Sequence, residues 1–318
     1  MGIVSLFYTK TILEKTTDDG SRKSYSPEDF PGMQQEAYSF VSEGNTLRGF
    51  YYRYDDCRQD ELLIFCHGIG GCARGYMKSI ELLCRAGFKV LAYDNTGSFN
   101  SDGESLVSLS HSLVDLNSAV ESLKQSGEIK KYKKIYTVGH SWGGYAAANI
   151  ANYQDCIDKT VVISGFRKLE SEIDFFSERF PALFRSYMVR KVLQYEKDIE
   201  PDYYGSDALD AVNAGKTKYM FVHSKDDTVV SFEHNTKYII DHTGNKDVRY
   251  LLMEGKKHHP YATQAAVDYK ESISGQFKIK RSKRTPEEAE QFRNSIDWDL
   301  YYAQDLSVWK EITDFLQE

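Results

Sequence analysis

Short apolar runs alternate with stretches of helical periodicity through most of the chain. The runs have the length of buried strands, and we expect strands at residues 62–68, 88–94, 134–140, 159–165, 218–224 and 248–254. Apolar residues recur at steps of three and four between the second and third strands, as on one face of a helix: Leu106, Leu109, Leu113, Leu116, Val120 and Leu123. Strands that alternate with helices predict an α/β fold with a mostly parallel central sheet flanked by helices.

The two ends of the chain differ from this alternating part. Residues 36–54 (EAYSFVSEGNTLRGFYYRY) hold two β-like runs around the turn cluster Glu43-Gly44-Asn45, which predicts an N-terminal β-hairpin. Residues 1–33 are polar and irregular after a short apolar start, so we expect an N-terminal arm or a peripheral helix there. Residues 305–318 predict a closing amphipathic helix.

A first interruption of the alternation lies at residues 166–211, where apolar residues occur at helical spacing and no strand is evident. This pattern predicts a helical cap inserted between two parts of the core, residues 34–165 and 212–318. The same apolar residues could also form the core of an inserted pair of helices that does not act as a cap. The two interpretations are compatible, because a cap needs such a core.

A second interruption lies at residues 263–304 and is left as an unassigned insertion. It contains a basic run formed by Lys278, Lys280, Arg281, Lys283 and Arg284. The segment Thr285-Pro286-Glu287-Glu288 then predicts the start of a helix, with an N-cap threonine, a first-turn proline and a capping glutamate. Since the whole chain has a net charge of −7, a solvated loop is favoured over a polyanion site for the basic run.

Length and composition narrow the class of protein. The 318 residues suit one large domain with an insertion, and the acidic balance disfavours binding to nucleic acid or to an anionic membrane. Five cysteines without a CxxC pair argue against a disulfide framework and a structural zinc site. No apolar run approaches membrane-spanning length, and the first residues lack the features of a signal peptide. We therefore expect a cytoplasmic protein without stable membrane insertion, metal or cofactor.

The segment Gly139-His140-Ser141-Trp142-Gly143-Gly144 carries the most specific chemical signal. It follows the predicted strand at 134–140 and precedes the helical stretch YAAANIA. A GxSxG sequence in this position is typical of a sharp strand-to-helix turn that presents a serine Oγ above the sheet. Ser141 is thus the predicted nucleophile, and the alternative is a glycine-rich turn without a chemical role.

A nucleophilic serine needs an oxyanion hole, a base and an orienting acid. Residues 67–71 (HGIGG) follow the first buried strand, where a second oxyanion amide usually arises, so we expect the backbone amides of Ile69 and Trp142 to serve as donors. His67 and His140, inside these motifs, are expected to pack and bond around the turns. His111 lies off the leucine stripe and is expected to face solvent.

The acid and the base are sought after the last two strands. Asp226 and Asp227 both follow the strand at 218–224, and one of them should point to solvent because adjacent like charges disfavour joint burial. Asp227 is the favoured acid. The loop after the last strand holds His258 and His259, and the chain order of serine, acid and histidine predicts the base there.

With these motifs the chain resembles the α/β-hydrolase superfamily, and within it capped esterase and lipase-like serine hydrolases. That group includes monoacylglycerol lipases, cinnamoyl esterases and serine aminopeptidase-related proteins. The likeness covers about residues 34–262 and the closing helix: HGIGG resembles the oxyanion loop, LAYDNTGSFNSDG the DxRGxGxS turn and GHSWGG the nucleophile elbow. HSKDDTVV resembles the acid loop and implies Asp227 as the acid, while EGKKH resembles the GxxH pattern and implies His258 rather than His259 as the base.

Some positions depart from the family pattern. Asn95 stands where the DxRG turn has arginine, and Ser224 stands where the acid loop has glycine. The insertion after His258 has no counterpart in the resemblance. The HGGPG loop of proline iminopeptidases is absent, and the elbow carries serine rather than the aspartate of haloalkane dehalogenases.

The function expected from these motifs is a serine hydrolase that cleaves carboxylic esters through an acyl-enzyme intermediate. Its substrate would be a small-molecule ester with an apolar or aromatic acyl or alcohol group under the cap. A thioesterase or an amidase or peptidase with the same three residues is an alternative, as is a non-catalytic binding module of the same fold. The pattern does not determine the acyl-chain length or the oligomeric state.

Overall fold

An eight-stranded sheet forms the centre of the computed structural model, which describes residues 3–18, 20–275 and 284–318. The strands are β1 Gln34–Ser42, β2 Asn45–Arg53, β3 Glu61–Cys66, β4 Lys89–Tyr93, β5 Lys134–His140, β6 Lys159–Ile163, β7 Lys218–Ser224 and β8 Arg249–Met253. Their order in the sheet is β1-β2-β4-β3-β5-β6-β7-β8. The strands from β4 to β8 in this order pair in parallel, whereas β1 and β2 pair antiparallel with each other and β2 pairs antiparallel with β4. The predicted hairpin and mostly parallel sheet are confirmed.

Helices cover both faces of this sheet. They are α1 Ile3–Thr11, α2 Met77–Arg85, α3 His111–Gln125, α4 Trp142–Asn149, α5 Leu169–Ser177, α6 Ala182–Ile199, α7 Ala208–Ala214, α8 Thr236–His242, α9 Gln264–Ile273, α10 Pro286–Ser295, α11 Trp298–Tyr301 and α12 Leu306–Gln317. Helices α2 and α12 pack in the apolar core on one face, while α3 and α4 pack in the core on the other. The central strands are buried on both sides, which explains their near-continuous apolar runs.

The leucine stripe belongs only partly to a helix. Leu106 and Leu109 lie before α3, which begins at His111. The expected exposure of His111 is wrong, because its side chain is buried and its Nδ1 lies 2.5 Å from Glu200 Oε1 beyond the end of α6. Burial alone would lower the pKa of His111, but the neighbouring carboxylates of Asp115 and Glu200 outweigh burial and raise it.

Helices α5 and α6 lie between β6 and α7 in the chain and pack on each other. Helix α7 instead buries Ala208, Ala211 and Val212 in a cluster with Val162 of β6 and Tyr219 of β7. We propose that α5 and α6 form the cap and that α7 belongs to the core, so that the cap ends before Ala208 rather than at residue 211.

Helices α9, α10 and α11 occupy the second interruption, residues 263–304. As predicted, α10 begins at Pro286: Thr285 Oγ1 accepts a hydrogen bond from the Glu288 amide, and the Glu288 carboxylate accepts one from the Thr285 amide. The basic run lies outside the described residues except for Arg284, whose guanidinium stands 4.1 Å from the centre of the Phe292 ring. The predicted closing helix is α12, which buries Trp309 and Ile312.

Candidate active site

Ser141 occupies a sharp turn between β5 and α4. Its backbone adopts φ 56° and ψ −117°, a left-handed conformation that is unfavourable for a residue with a side chain. The turn is tight enough that a Cβ at Gly139 would lie 2.1 Å from the carbonyl oxygen of Gly143. The Ser141 amide donates to the carbonyl of Ile163 at 2.9 Å, which ties the turn to the neighbouring strand β6. The serine is thus held at the carboxyl end of the central strands.

Asp227 is a buried carboxylate in the loop after β7. Its Oδ1 accepts the amides of Val229 and Val230 at 2.8 and 3.0 Å, and its Oδ2 lies 2.8 Å from His258 Nδ1. His223 Nε2 stands 3.4 Å from the same Oδ2. Burial raises the pKa of Asp227, but the hydrogen bonds from His223 and His258 outweigh it and hold the pKa well below the usual range. Asp227 is therefore a charged acceptor that orients His258.

The neighbouring carboxylate of Asp226 points another way. It pairs with Lys257 Nζ at 3.0 Å and accepts the Gly255 amide at 3.0 Å. Its side chain remains partly exposed, whereas that of Asp227 is fully buried. Asp226 thus binds the loop after β8, whereas Asp227 contacts His258.

His258 and His259 have different surroundings. His258 directs Nδ1 to Asp227, which leaves its Nε2 for another partner. His259 stacks beside His140 with ring centres 5.9 Å apart, and its Nδ1 lies 3.4 Å from the hydroxyl of Tyr261. Burial, and after it the charge of Lys270, lowers the pKa of His259 well below its usual value, so His259 is neutral. The structure brings His258, and not His259, to Asp227.

The loop after β3 lies against Ser141, since a side chain at Gly68 would stand 3.3 Å from the serine Cβ. The Gly68 amide donates to the hydroxyl of Tyr76 at 3.2 Å. In the described part of the chain, the amides of Ile69 and Trp142 donate to no acceptor. These two amides are therefore available to a ligand atom beside Ser141.

Two histidines hold this loop through defined tautomers. His67 Nε2 accepts the Asn95 amide at 3.0 Å, so its Nδ1 carries the proton and donates to the Gly68 carbonyl at 2.9 Å. His140 Nε2 faces the His258 carbonyl at 2.9 Å and must donate to it, so His140 Nδ1 accepts the Tyr76 hydroxyl at 2.7 Å. Burial, and next the proximity of His258, lowers the pKa of His140 to about 3, which keeps it neutral. Both histidines pack and bond around the turns, as expected.

Comparisons with known proteins agree with this geometry. A family model described as serine aminopeptidase, S33, matches residues 58–204, which is less than half of the chain. An esterase of Pyrococcus furiosus is 20% identical with a TM-score of 0.57, over 80% of this chain and 93% of that one. Est1E from Butyrivibrio proteoclasticus, solved with ferulic acid bound, is 17% identical with a TM-score of 0.54, over 78% of this chain and all of that one. The α/β hydrolase GrgF from a Penicillium species is 16% identical with a TM-score of 0.53, over 76% and 96% of the two chains.

The chain has the α/β-hydrolase fold, and its residues 58–204 match a hydrolase family model. The resemblance inferred from the motifs is thereby confirmed, and the family match and the fold support a hydrolase. No curated protein matches the chain by sequence.

Two cavities of the protein meet at Ser141. The apolar cavity, of about 230 Å³, is lined by side chains of α1, α5 and α6, among them Phe7, Tyr8, Ile173, Phe176 and Val192. The insertion cavity, of about 390 Å³, is lined by the two histidines 258 and 259 and by residues of the insertion, among them Lys270, Tyr301 and Tyr302. Ser141, Ile69 and Val229 line both cavities.

Glu172 is a functional candidate that the motifs did not reveal. It lines the apolar cavity from α5, and its Oε2 is buried without a hydrogen-bond partner among the described residues. Burial, and then the charge of Asp227, raises the pKa of Glu172 to about 8. No local pattern in the sequence distinguishes this residue, since Lys168 stands four positions before it, as beside many exposed glutamates.

Residues 3–18, 20–275 and 284–318 contain no cluster of three or more His, Cys, Asp or Glu placed to hold a metal ion. Within the same ranges, none of the helices has the length and apolar character that crossing a membrane requires.

Proposed function

We propose that the chain is a serine hydrolase that cleaves carboxylic esters through an acyl-enzyme intermediate. Ser141 is the nucleophile, His258 the general base, and Asp227 the carboxylate that orients it, while the amides of Ile69 and Trp142 bind the oxyanion. The observation that carries this proposal is the 2.8 Å contact between Asp227 Oδ2 and His258 Nδ1, in a cavity that also exposes Ser141. The hydrolase family match supports the same reaction class.

The geometry sets the direction of proton transfer. Because His258 Nδ1–H donates to Asp227, Nε2 is the free nitrogen that removes the Ser141 proton as Oγ attacks the ester carbon. The negative charge that develops on the carbonyl oxygen is stabilised by the two amides. When the tetrahedral intermediate collapses, the C–O bond to the alcohol breaks and His258 returns the proton to that oxygen. Water, activated by His258, then releases the acid and restores Ser141.

The position of His258 supports a placement of the two halves of the substrate. The histidine must reach the oxygen of the leaving alcohol, and His258 lines the insertion cavity but not the apolar one. The alcohol therefore occupies the insertion cavity, and the acyl chain occupies the apolar cavity, where it buries hydrophobic surface. Because Est1E was solved with ferulic acid, aromatic acyl groups belong among the substrates to be compared with aliphatic ones.

A panel of esters, thioesters and amides with graded acyl chains tests the proposal. Wild type should hydrolyse the esters most efficiently, and Ser141→Ala should lose about 10⁴-fold or more in kcat, because the residual rate would come only from binding and the oxyanion donors. Ser272→Ala, at an exposed position on α9, is the matched control and should retain wild-type rates.

The same panel separates the two histidines. His258→Ala should lose as much as Ser141→Ala, since the residues act as a unit. Full activity in Ser141→Ala, or loss in His259→Ala together with retention in His258→Ala, would contradict the assignment.

A further inference from the structure

We propose that the insertion cavity recognises an anionic group, a phosphate or a carboxylate, on the leaving alcohol of the ester. This inference rests on the proposed function, because it assumes that the alcohol lies on the His258 side of Ser141. It assigns a role to the insertion at residues 263–304, which the catalytic residues do not explain.

Three basic side chains from separate parts of the chain line this cavity. Arg22 comes from the N-terminal arm, Lys78 from α2 and Lys270 from α9. Lys78 already pairs with Asp299 at 3.1 Å, and Asp18 contributes one exposed carboxylate at the rim. Basic side chains therefore outnumber acidic ones among the lining residues, in a chain whose net charge is −7.

Lys270 is the centre of this excess. Its Nζ donates to the backbone carbonyl of Tyr301 and stands 4.0 Å from the centre of that residue's ring. No carboxylate of the described residues lies within ion-pair distance of it. Burial, followed by repulsion from Arg22 and Lys78, lowers the pKa of Lys270 to about 7. A bound anion would offset this lowering and favour the charged ammonium, since it supplies an opposite charge.

Two of the histidines that line the cavity, His140 and His259, add no charge to it. Burial lowers the pKa values of both well below neutrality. Lys270 lines the same cavity as His258 and Ser141, so an anion that pairs with Lys270 would lie in the cavity that the leaving alcohol is proposed to occupy.

The apolar cavity is a poor place for the same anion. Glu172 supplies a carboxyl group there, the guanidinium of Arg179 already donates to the Thr228 carbonyl at 2.9 Å, and most of the remaining lining side chains are apolar. A substrate with an apolar acyl chain and an anionic alcohol would match both sides of Ser141. Volumes of about 390 and 230 Å³ suit an alcohol of the size of glycerol phosphate and a short or medium acyl chain.

Ester pairs with and without an anionic group on the alcohol test the proposal. The first pair is 1-butyrylglycerol 3-phosphate and 1-butyrylglycerol, and the second is 3-butyryloxypropanoate and its uncharged amide, 3-butyryloxypropanamide. For wild type we expect kcat/KM of the charged member to exceed that of the neutral one by about tenfold in at least one pair, as one charge-assisted hydrogen bond provides. The pair that shows the preference identifies phosphate or carboxylate as the group recognised.

Substitutions locate the preference. In Lys270→Met the charged-to-neutral ratio of kcat/KM should fall about tenfold, and Lys270→Arg should retain most of it. Lys78→Met should also lower the charged-to-neutral ratio. This second variant keeps the test decisive if Lys270→Met fails to fold. Lys310→Met, an exposed lysine of α12 paired with Asp314, is the control and should leave the ratio unchanged.

The outcomes separate this inference from the proposed function. Equal hydrolysis of charged and neutral esters by wild type, or a ratio that survives both methionine substitutions, overturns the anionic subsite while leaving the esterase intact. If neither pair is hydrolysed while other esters of the panel are cleaved, the anionic subsite is likewise overturned and the esterase proposal stands. Failure to hydrolyse any ester overturns both.

Discussion

Glu172 places a carboxyl group in the apolar cavity beside Ser141, with one oxygen buried and unpaired among the described residues. With a pKa of about 8, this group is mainly protonated at neutral pH and can donate a hydrogen bond to an acyl group. Glu172 therefore provides a neutral polar group in a cavity whose other lining side chains are mostly apolar.

The raised pKa of Glu172 has a consequence for stability. The ordinary pKa is 4.5 and the folded-state value is about 8, so the protonated form is favoured by folding. The stabilisation that the protonated Glu172 contributes is present in full below its ordinary pKa of 4.5. It is lost as the pH rises through its folded-state pKa of about 8. Relative to Glu172→Gln, wild type should lose on the order of 3 kcal/mol between pH 4.5 and 8.

Urea unfolding of wild type and Glu172→Gln at several pH values in this interval measures that difference. Glu170→Gln, on the same helix and exposed, is the control. Parallel stability curves for wild type and Glu172→Gln would show that the carboxyl is ionised or solvated in the folded protein.

The sequence predicted that Ser141, Asp227 and His258 lie close together, but it did not predict the surroundings of Glu172 and His111. Ser141, Asp227 and His258 follow β5, β7 and β8 of a parallel sheet, whose strands have their carboxyl ends at one edge, so chain order alone predicts their proximity. The surroundings of Glu172 and of His111 depend on segments far away in the chain. Glu200, which meets His111, lies 89 residues further on, and no local pattern links them.

At the scale of elements, α6 is tied to the rest of the protein by one buried carboxylate. Glu196 Oε1 accepts the Tyr8 hydroxyl of α1 at 2.6 Å and the Leu109 amide at 2.9 Å. Its Oε2 accepts the amide and the hydroxyl of Ser110 at 3.1 and 2.9 Å. This residue thus joins α1, α6 and the start of α3 around the apolar cavity.

Removal of the Glu196 side chain should weaken this junction. Glu196→Ala leaves the buried donors of Tyr8, Leu109 and Ser110 without their acceptor, and we expect a loss of roughly 3 kcal/mol in the free energy of unfolding. KM for esters with long acyl chains should rise as well, because α1 and α6 line the acyl cavity. Denaturant unfolding and steady-state kinetics measure the two effects.

The exposed Glu311 of α12 provides the matched control, Glu311→Ala. If Glu196→Ala and Glu311→Ala have the same stability and the same KM, the junction does not hold the cavity together.

The elements that were predicted well are those with local signals. Helix α10 begins where a capping box and a proline stand, and β5 and β7 coincide with their apolar runs. Helix α1 gave no comparable signal of its role, because its position over the apolar cavity depends on α6, more than 170 residues further along the chain. The contribution of the insertion to the site was hidden for the same reason.

For the whole molecule, the sheet could be predicted because alternation of strands and helices is visible along the chain and permits few topologies. The distribution of charge could not. A net charge of −7 correctly describes the chain but conceals a cavity in which basic side chains outnumber acidic ones. Composition alone therefore does not predict the balance of charged side chains around the nucleophile.

The central claim is that the folded molecule activates a single serine, Ser141. Labelling with a fluorophosphonate probe followed by intact mass and peptide mapping tests it, because the probe reacts covalently only with an activated serine nucleophile. We predict one adduct per chain in wild type, on the peptide containing Ser141, and none in Ser141→Ala. Wild-type protein that stays unlabelled while folded, or an adduct that persists in Ser141→Ala, would contradict the account.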